Sequence, residues 1–116
     1  MLVKISLWLL LFFVSTAADH KPKRYAINLD LSPSDRWTQV IRDHSDAIPA
    51  VASISRLYIP EVLQPLVWWL ASQLTYFFPV EYTEELKGIA RESGLPLGEV
   101  VGLNILYDIT AFDRRQ

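Results

Sequence analysis

From Tyr25 to Leu31 the chain alternates, with Tyr25, Ile27, Leu29 and Leu31 set against Ala26, Asn28 and Asp30. That period of two predicts a half-buried β-strand. No later segment alternates the same way, so its edge is expected to pair with another chain or with a missing part of this one. Ser32-Pro33-Ser34-Asp35 then predicts a helix start: Ser32 can cap, Pro33 suits the first helical position and Asp35 lies at capping-box spacing. Trp37, Val40, Ile41 and His44 share one face of that helix. Pro49 restarts a second helical stretch with Val51, Ile54, Ser55, Leu57 and Tyr58, and Pro60 interrupts it.

The third predicted helix, Glu61 to Phe78, is the longest and least polar of the set. Its Pro65 lies early enough to sit in the first turn or to kink it. Leu63, Leu66, Val67, Leu70, Leu74 and Phe77 follow helical spacing, while Trp68, Trp69 and Tyr76 widen the apolar surface beyond one stripe. Glu61, Gln64, Gln73 and the prolines leave too short an apolar core for a membrane span. Pro79 ends this helix, Thr83 with Glu84 and Glu85 opens the next, and Gly94 closes it as a C′ residue. A last helix begins near Pro96. The expected architecture is mainly α, one N-terminal strand followed by about five helices.

Composition changes the picture at the amino end and in the apolar surplus. Lys4, the apolar run Ile5 to Val14 and the small residues Ser15-Thr16-Ala17-Ala18 read as a signal peptide over residues 1–18, leaving 19–116 as one domain in the secretory pathway. The net charge of −2 advertises no affinity for nucleic acid. A secreted domain this small would often carry disulfides, and this chain has no cysteine. With 51% hydrophobic residues it holds more apolar area than a lone domain of its size readily buries. Neither Asn28-Leu29-Asp30 nor Asn104-Ile105-Leu106 is a glycosylation sequon.

Candidate chemistry is sparse. Asp43 and Asp46, and the cluster Glu81, Glu84 and Glu85, read as helix-dipole and solubility residues. His44 reads as a helix-end histidine, and His20 joins no ligand set, so neither a metal nor a cofactor is expected. Serines 53, 55, 72 and 93 lie outside any nucleophile-elbow pattern. The aromatic pair carries more content, because adjacent indoles point about 100° apart on a helix and cannot both enter one narrow core stripe. One reading is a wide core shared with another subunit. The sharper one places Leu66, Trp68, Trp69, Leu70, Tyr76 and Phe77 at a membrane interface or along an acyl-lipid channel.

The order Tyr25-Ala-Ile-Asn-Leu-Asp30, Arg36-Trp37, Phe78-Pro79, Tyr82-Thr83-Glu84-Glu85-Leu86-Lys87-Gly88 and Asn104-Ile-Leu-Tyr-Asp108 resembles the amino-terminal, or α, portion of the acid ceramidase and N-acylethanolamine acid amidase family. The resemblance implies a lysosomal lipid amidase with an αββα N-terminal-nucleophile fold. Its precursor is cut before a cysteine that then attacks the amide, and the remaining catalytic groups lie in the β portion. It implies a supporting role for this chain: a strand added to the catalytic sheet, helices covering it, and a hydrophobic helix at the lipid entrance. Asp113 stands where the nucleophilic cysteine would be, so no catalytic residue is assigned here and the catalytic β portion is the expected partner. A spliced or truncated product, inactive alone, is expected in the lysosome or outside the cell. The competing reading is a secreted helical lipid-binding or interaction protein with no partner enzyme.

An unpaired strand and surplus apolar surface predict poor solubility for residues 19–116 on their own. Sedimentation and thermal unfolding check this, with self-association expected in place of a monomer that unfolds cooperatively.

Overall fold

A computed structural model describes residues 21–113, with side chains as far as Asp108. The signal-peptide reading of residues 1–18 and His20 therefore lie outside the described residues. Five α-helices follow one another: α1 (Thr38–Asp43), α2 (Ile48–Leu57), α3 (Gln64–Gln73), α4 (Val80–Ser93) and α5 (Leu97–Asp113). Short 3-10 turns at Pro33–Asp35, Ser45–Ala47, Glu61–Leu63 and Leu74–Phe77 precede or join them.

The expected strand is absent among the described residues. Residues 21–28 are irregular and 29–31 turn, with the Leu31 amide donating to the Asn28 carbonyl (3.4 Å). A ladder needs a second strand, and no described segment supplies one. The Ser32 side chain also departs from its capping role. Its hydroxyl donates to Asp35 Oδ2 (2.7 Å) instead of accepting a backbone N–H, and α1 begins only at Thr38.

The long third helix is broken into three. Pro65 occupies the first turn of α3, where a missing N–H costs nothing. Beyond Gln73 the backbone tightens to a 3-10 turn. There the Ser72 and Thr75 hydroxyls donate to the carbonyls of Trp69 (2.6 Å) and Ser72 (2.7 Å), bonds that compete with regular helix geometry. Phe78 is extended before Pro79, as the proline ring requires, and the longest described helix is α5. Helix α4 opens at Val80, not at Thr83. The Thr83 hydroxyl instead ties α4 back to the preceding turn by donating to the Thr75 carbonyl (3.1 Å). Gly94 ends α4 with φ +73°, its amide on the Ala90 carbonyl (3.0 Å).

The core forms where α4 and α5 meet α3. Leu86, Val100 and Val101 are buried at its centre, with Ala71, Phe78, Ile89, Leu97 and Ile105 packed around them. Two glycines permit the closest approaches. A β-carbon on Gly98 would overlap the Trp68 carbonyl, so α3 crosses α5 backbone against backbone, and one on Gly88 would overlap the Ser34 carbonyl. The second contact seats the Pro33–Asp35 turn on α4. Arg91 secures that turn by donating to the Ser34 carbonyl (3.0 Å) and to Asp35 Oδ1 (2.9 Å).

A buried carboxylate joins α2 to α5. Glu99, with no exposed surface, accepts from Arg56 Nε and Nη2 (3.1 Å each) and from the Ser55 hydroxyl (2.7 Å). Its place in the first turn of α5 adds the helix dipole to that support. The guanidinium in turn is held above its ordinary pKa by the Glu99 carboxylate.

Substituting Gly98→Ala is expected to destabilise the fold by about 3 kcal/mol, since two backbones must separate to admit a methyl group. Gly94→Ala should cost only about 1–2 kcal/mol, the strain of a left-handed alanine; chemical denaturation of both variants ranks them. At the amino end Lys23 and the Tyr25 hydroxyl both donate to Asp43 Oδ2, lowering the Asp43 pKa and, through Lys23, raising that of the lysine. A depressed carboxylate stabilises above its unfolded pKa and loses the contribution as pH falls through the folded value. A raised lysine keeps its contribution until pH rises past the folded value. The clamp should therefore hold from below the usual aspartate range to above the usual lysine range, which an NMR titration of the Asp43 carboxyl and the Tyr25 ring measures.

Candidate lipid-facing surface

Helix α3 sorts the six residues proposed for lipid contact into two groups. Trp68, only 8% exposed, turns toward α5, where its ring lies in van der Waals reach of the Gly102 position. Trp69, one residue and about 100° further round, is 58% exposed. Leu66, Trp69 and Leu70 are spaced three and four apart and so share the outer face. Tyr76 and Phe77, 83% and 85% exposed, follow in the 3-10 turn after α3. Trp68 thus belongs to the core: Gly98 and Gly102 clear the space on α5 that an indole needs.

Other exposed apolar side chains are Val62 and Leu63 before α3, Val80 after it, and Leu57 and Tyr58 at the end of α2. No lysine or arginine occurs between Arg56 and Lys87. Contact with a bilayer here would rest on apolar insertion, with little attraction to anionic headgroups. No described helix is long and apolar enough to cross a membrane.

Two apolar clefts flank α5. One of about 320 Å³ is lined by Ile41, Ile48, Val51, Ile89 and Leu103. The other, about 310 Å³, is lined by Tyr58, Ile59, Val67, Trp68, Ile105 and Leu106. Leu103 and Ile105 point about 200° apart, so the clefts open on opposite flanks of one helix.

The polar groups do not assemble into a reactive centre. Ser55 shares its single proton between the Ala52 carbonyl (2.8 Å) and the Glu99 carboxylate (2.7 Å), but both side chains are buried and the carboxylate is paired with Arg56. His44, at the end of α1, places Nδ1 2.9 Å from the Val40 carbonyl and 5.8 Å separates its ring from that of Tyr25. The helix-end reading of His44 therefore agrees with its position. Asp43 is engaged by Lys23 and Tyr25, Glu81 and Glu85 by Arg36, and Glu84 by Lys87 (2.9 Å). Asp46 lies exposed in the turn before α2. Among the described residues no group of three or more histidines, cysteines or acids could hold a metal ion. The side chain of Asp113 lies outside the described set. The Arg56–Glu99 pair had no counterpart in the sequence reading, because its partners are 43 residues apart and neither repeats a motif.

Comparison with known proteins gives this surface a context. Residues 20–78 match the family described as the β subunit of N-acylethanolamine-hydrolyzing acid amidase, whereas the motif order in the sequence points to the α portion. The N-acylethanolamine-hydrolyzing acid amidase of Caenorhabditis elegans is 58% identical over 107 residues, 92% of this chain and 30% of that protein. Human acid ceramidase is 32% identical over 91 residues, 73% of this chain and 23% of that protein. The chain thus spans under a third of the length of these relatives. A solved structure of the Caenorhabditis elegans N-acylethanolamine-hydrolyzing acid amidase ortholog superposes with a TM-score of 0.68 at 59% identity, covering 84% of this chain and 96% of the solved one. With half its length inside the family match and its helices superposing on that structure, this chain belongs to the N-acylethanolamine-hydrolyzing acid amidase and acid ceramidase family.

Proposed function

We propose that this chain is the α-subunit-like portion of a lipid amidase, supporting a catalytic portion that hydrolyses fatty-acid amides such as N-acylethanolamines or ceramide. Its own task is to scaffold that portion and to form the lipid entrance, in an acidic compartment of the secretory pathway. The observation that carries this reading is the outward exposure of Leu66, Trp69, Leu70, Tyr76 and Phe77, five large apolar side chains within twelve residues that hold no lysine or arginine. Large exposed apolar patches mark sites of protein or membrane contact.

Two further observations support a subunit. The solved relative's chain is covered almost end to end, while the curated relative is covered by less than a third, so a piece of this size exists as its own chain in a related structure. Ahead of the turn at 29–31, residues 25–27 suit an edge strand in the αββα layers that the resemblance implies, since no hydrogen bond among the described residues engages their backbone.

Co-sedimentation of the chain with zwitterionic phosphatidylcholine vesicles tests the entrance. Binding is expected to resist salt and to fall about tenfold or more in Trp69→Ala/Phe77→Ala, which removes two exposed rings. Trp68→Ala should instead lower stability, by about 3–5 kcal/mol in a well-packed core. Unchanged binding in the double variant would overturn the assignment of this face.

A further inference from the structure

Arg36 has an unusual position for a residue just outside a helix. Its side chain is only 9% exposed. Its guanidinium bridges two parts of the chain. On one side Nη1 donates to Glu81 and to Glu85 (3.0 Å) on α4, and these carboxylates hold it above its ordinary pKa. On the other, Nε donates to the Leu31 carbonyl (3.3 Å) and Nη2 to the Leu29 carbonyl (3.0 Å). Four of its five donors are thus engaged in a planar fork, which a lysine cannot reproduce.

The two carbonyls belong to the turn at residues 29–31, so the guanidinium fixes that turn against α4. A second clamp holds the segment upstream, where Lys23 and Tyr25 meet Asp43 on α1. Between the clamps run Ala26, Ile27 and Asn28, and the backbone of Tyr25, Ala26 and Ile27 has no hydrogen-bond partner among the described residues. Unpaired backbone in a fixed place is a template for strand pairing, and holding it still removes entropy that association would otherwise have to overcome.

We infer that Arg36 is a positioning residue for an interaction surface: it locks the turn at residues 29–31 to α4 so that the backbone of residues 25–27 is presented to an edge strand of a partner sheet. The partner is recognised through main-chain hydrogen bonds, with Tyr25 and Ile27 on one face and Ala26 and Asn28 on the other. This rests on the scaffold reading above, which it makes specific to one residue. The two carboxylates give Arg36 its charge balance, and the two carbonyls give it its direction.

Because the chain has no cysteine, Ala26→Cys provides a single site for a nitroxide label. The label is expected to be restrained with Arg36 present and mobile in Arg36→Lys, which keeps the charge but loses the fork. Glu85→Gln, which leaves the segment itself untouched, should loosen it partially, and circular dichroism confirms that each variant is folded. Co-expression with the remaining portion of the Caenorhabditis elegans relative then reads association, expected to weaken about tenfold in Arg36→Lys. A label equally restrained in both variants overturns the latch, and a mobile label with undiminished association overturns the presentation of residues 25–27. If the chain with Arg36 intact fails to associate, the scaffold reading falls, and label mobility alone decides whether Arg36 is a latch.

Discussion

The crossing of α3 and α5 at Gly98 is the contact from which the rest of the arrangement follows. With no β-carbon at Gly98, the Trp68 carbonyl comes against the α5 backbone, and Gly102 leaves room for the indole one turn further on. That approach fixes the rotation of α3 about its axis. Trp68 must then face inward and Trp69 outward, and the outer face gathers Leu66 and Leu70 by helical periodicity alone. The same approach brings the start of α5 beside the end of α2, where Glu99 meets Arg56 and Ser55.

Charge organises the other half of the molecule. Helix α4 carries Glu81, Glu85, Arg91 and Glu92 along its length, and each engages a partner from the segment that precedes α2. Arg36 takes two of these carboxylates and Arg42 takes Glu92 (3.1 Å), while Arg91 reaches back to Asp35. Exposed ion pairs add little individually to stability. Their collective effect is positional, since Arg36 also grips backbone carbonyls and its side chain is withdrawn from water. The amino-terminal segment is consequently placed by polar contacts, whereas α3 and α5 are placed by steric fit.

Membership of an acid amidase family gives the apolar surplus a physical sense. A chain with small buried clusters and many exposed aromatic and aliphatic side chains is poorly matched to water on every side. Family relatives are more than three times its length. In the scaffold reading proposed above, the clefts on both flanks of α5 and the outer face of α3 are the surfaces open to a further portion.

Much of the helical plan was legible in the residues themselves. Pro49, Pro60, Pro79 and Gly94 act through the local backbone, and each marks a boundary close to where the sequence reading placed it. The need for one of the two tryptophans to face away from the core followed from helix geometry. Which one could not be read, because it depends on Gly98 and Gly102 some thirty residues later, and on how closely two backbones approach. The strand was misplaced for a related reason: alternation describes a preference, whereas a ladder requires a second chain segment. Likewise Glu81 and Glu85 read as dipole and solubility residues in the sequence, and only the fold brings Arg36 to them. Sequence alone thus determined the local rules of helix start, stop and periodicity. Tertiary structure decided the orientation of α3, the Glu99 pair and the anchoring of residues 29–31, because each depends on contacts between residues far apart in the chain.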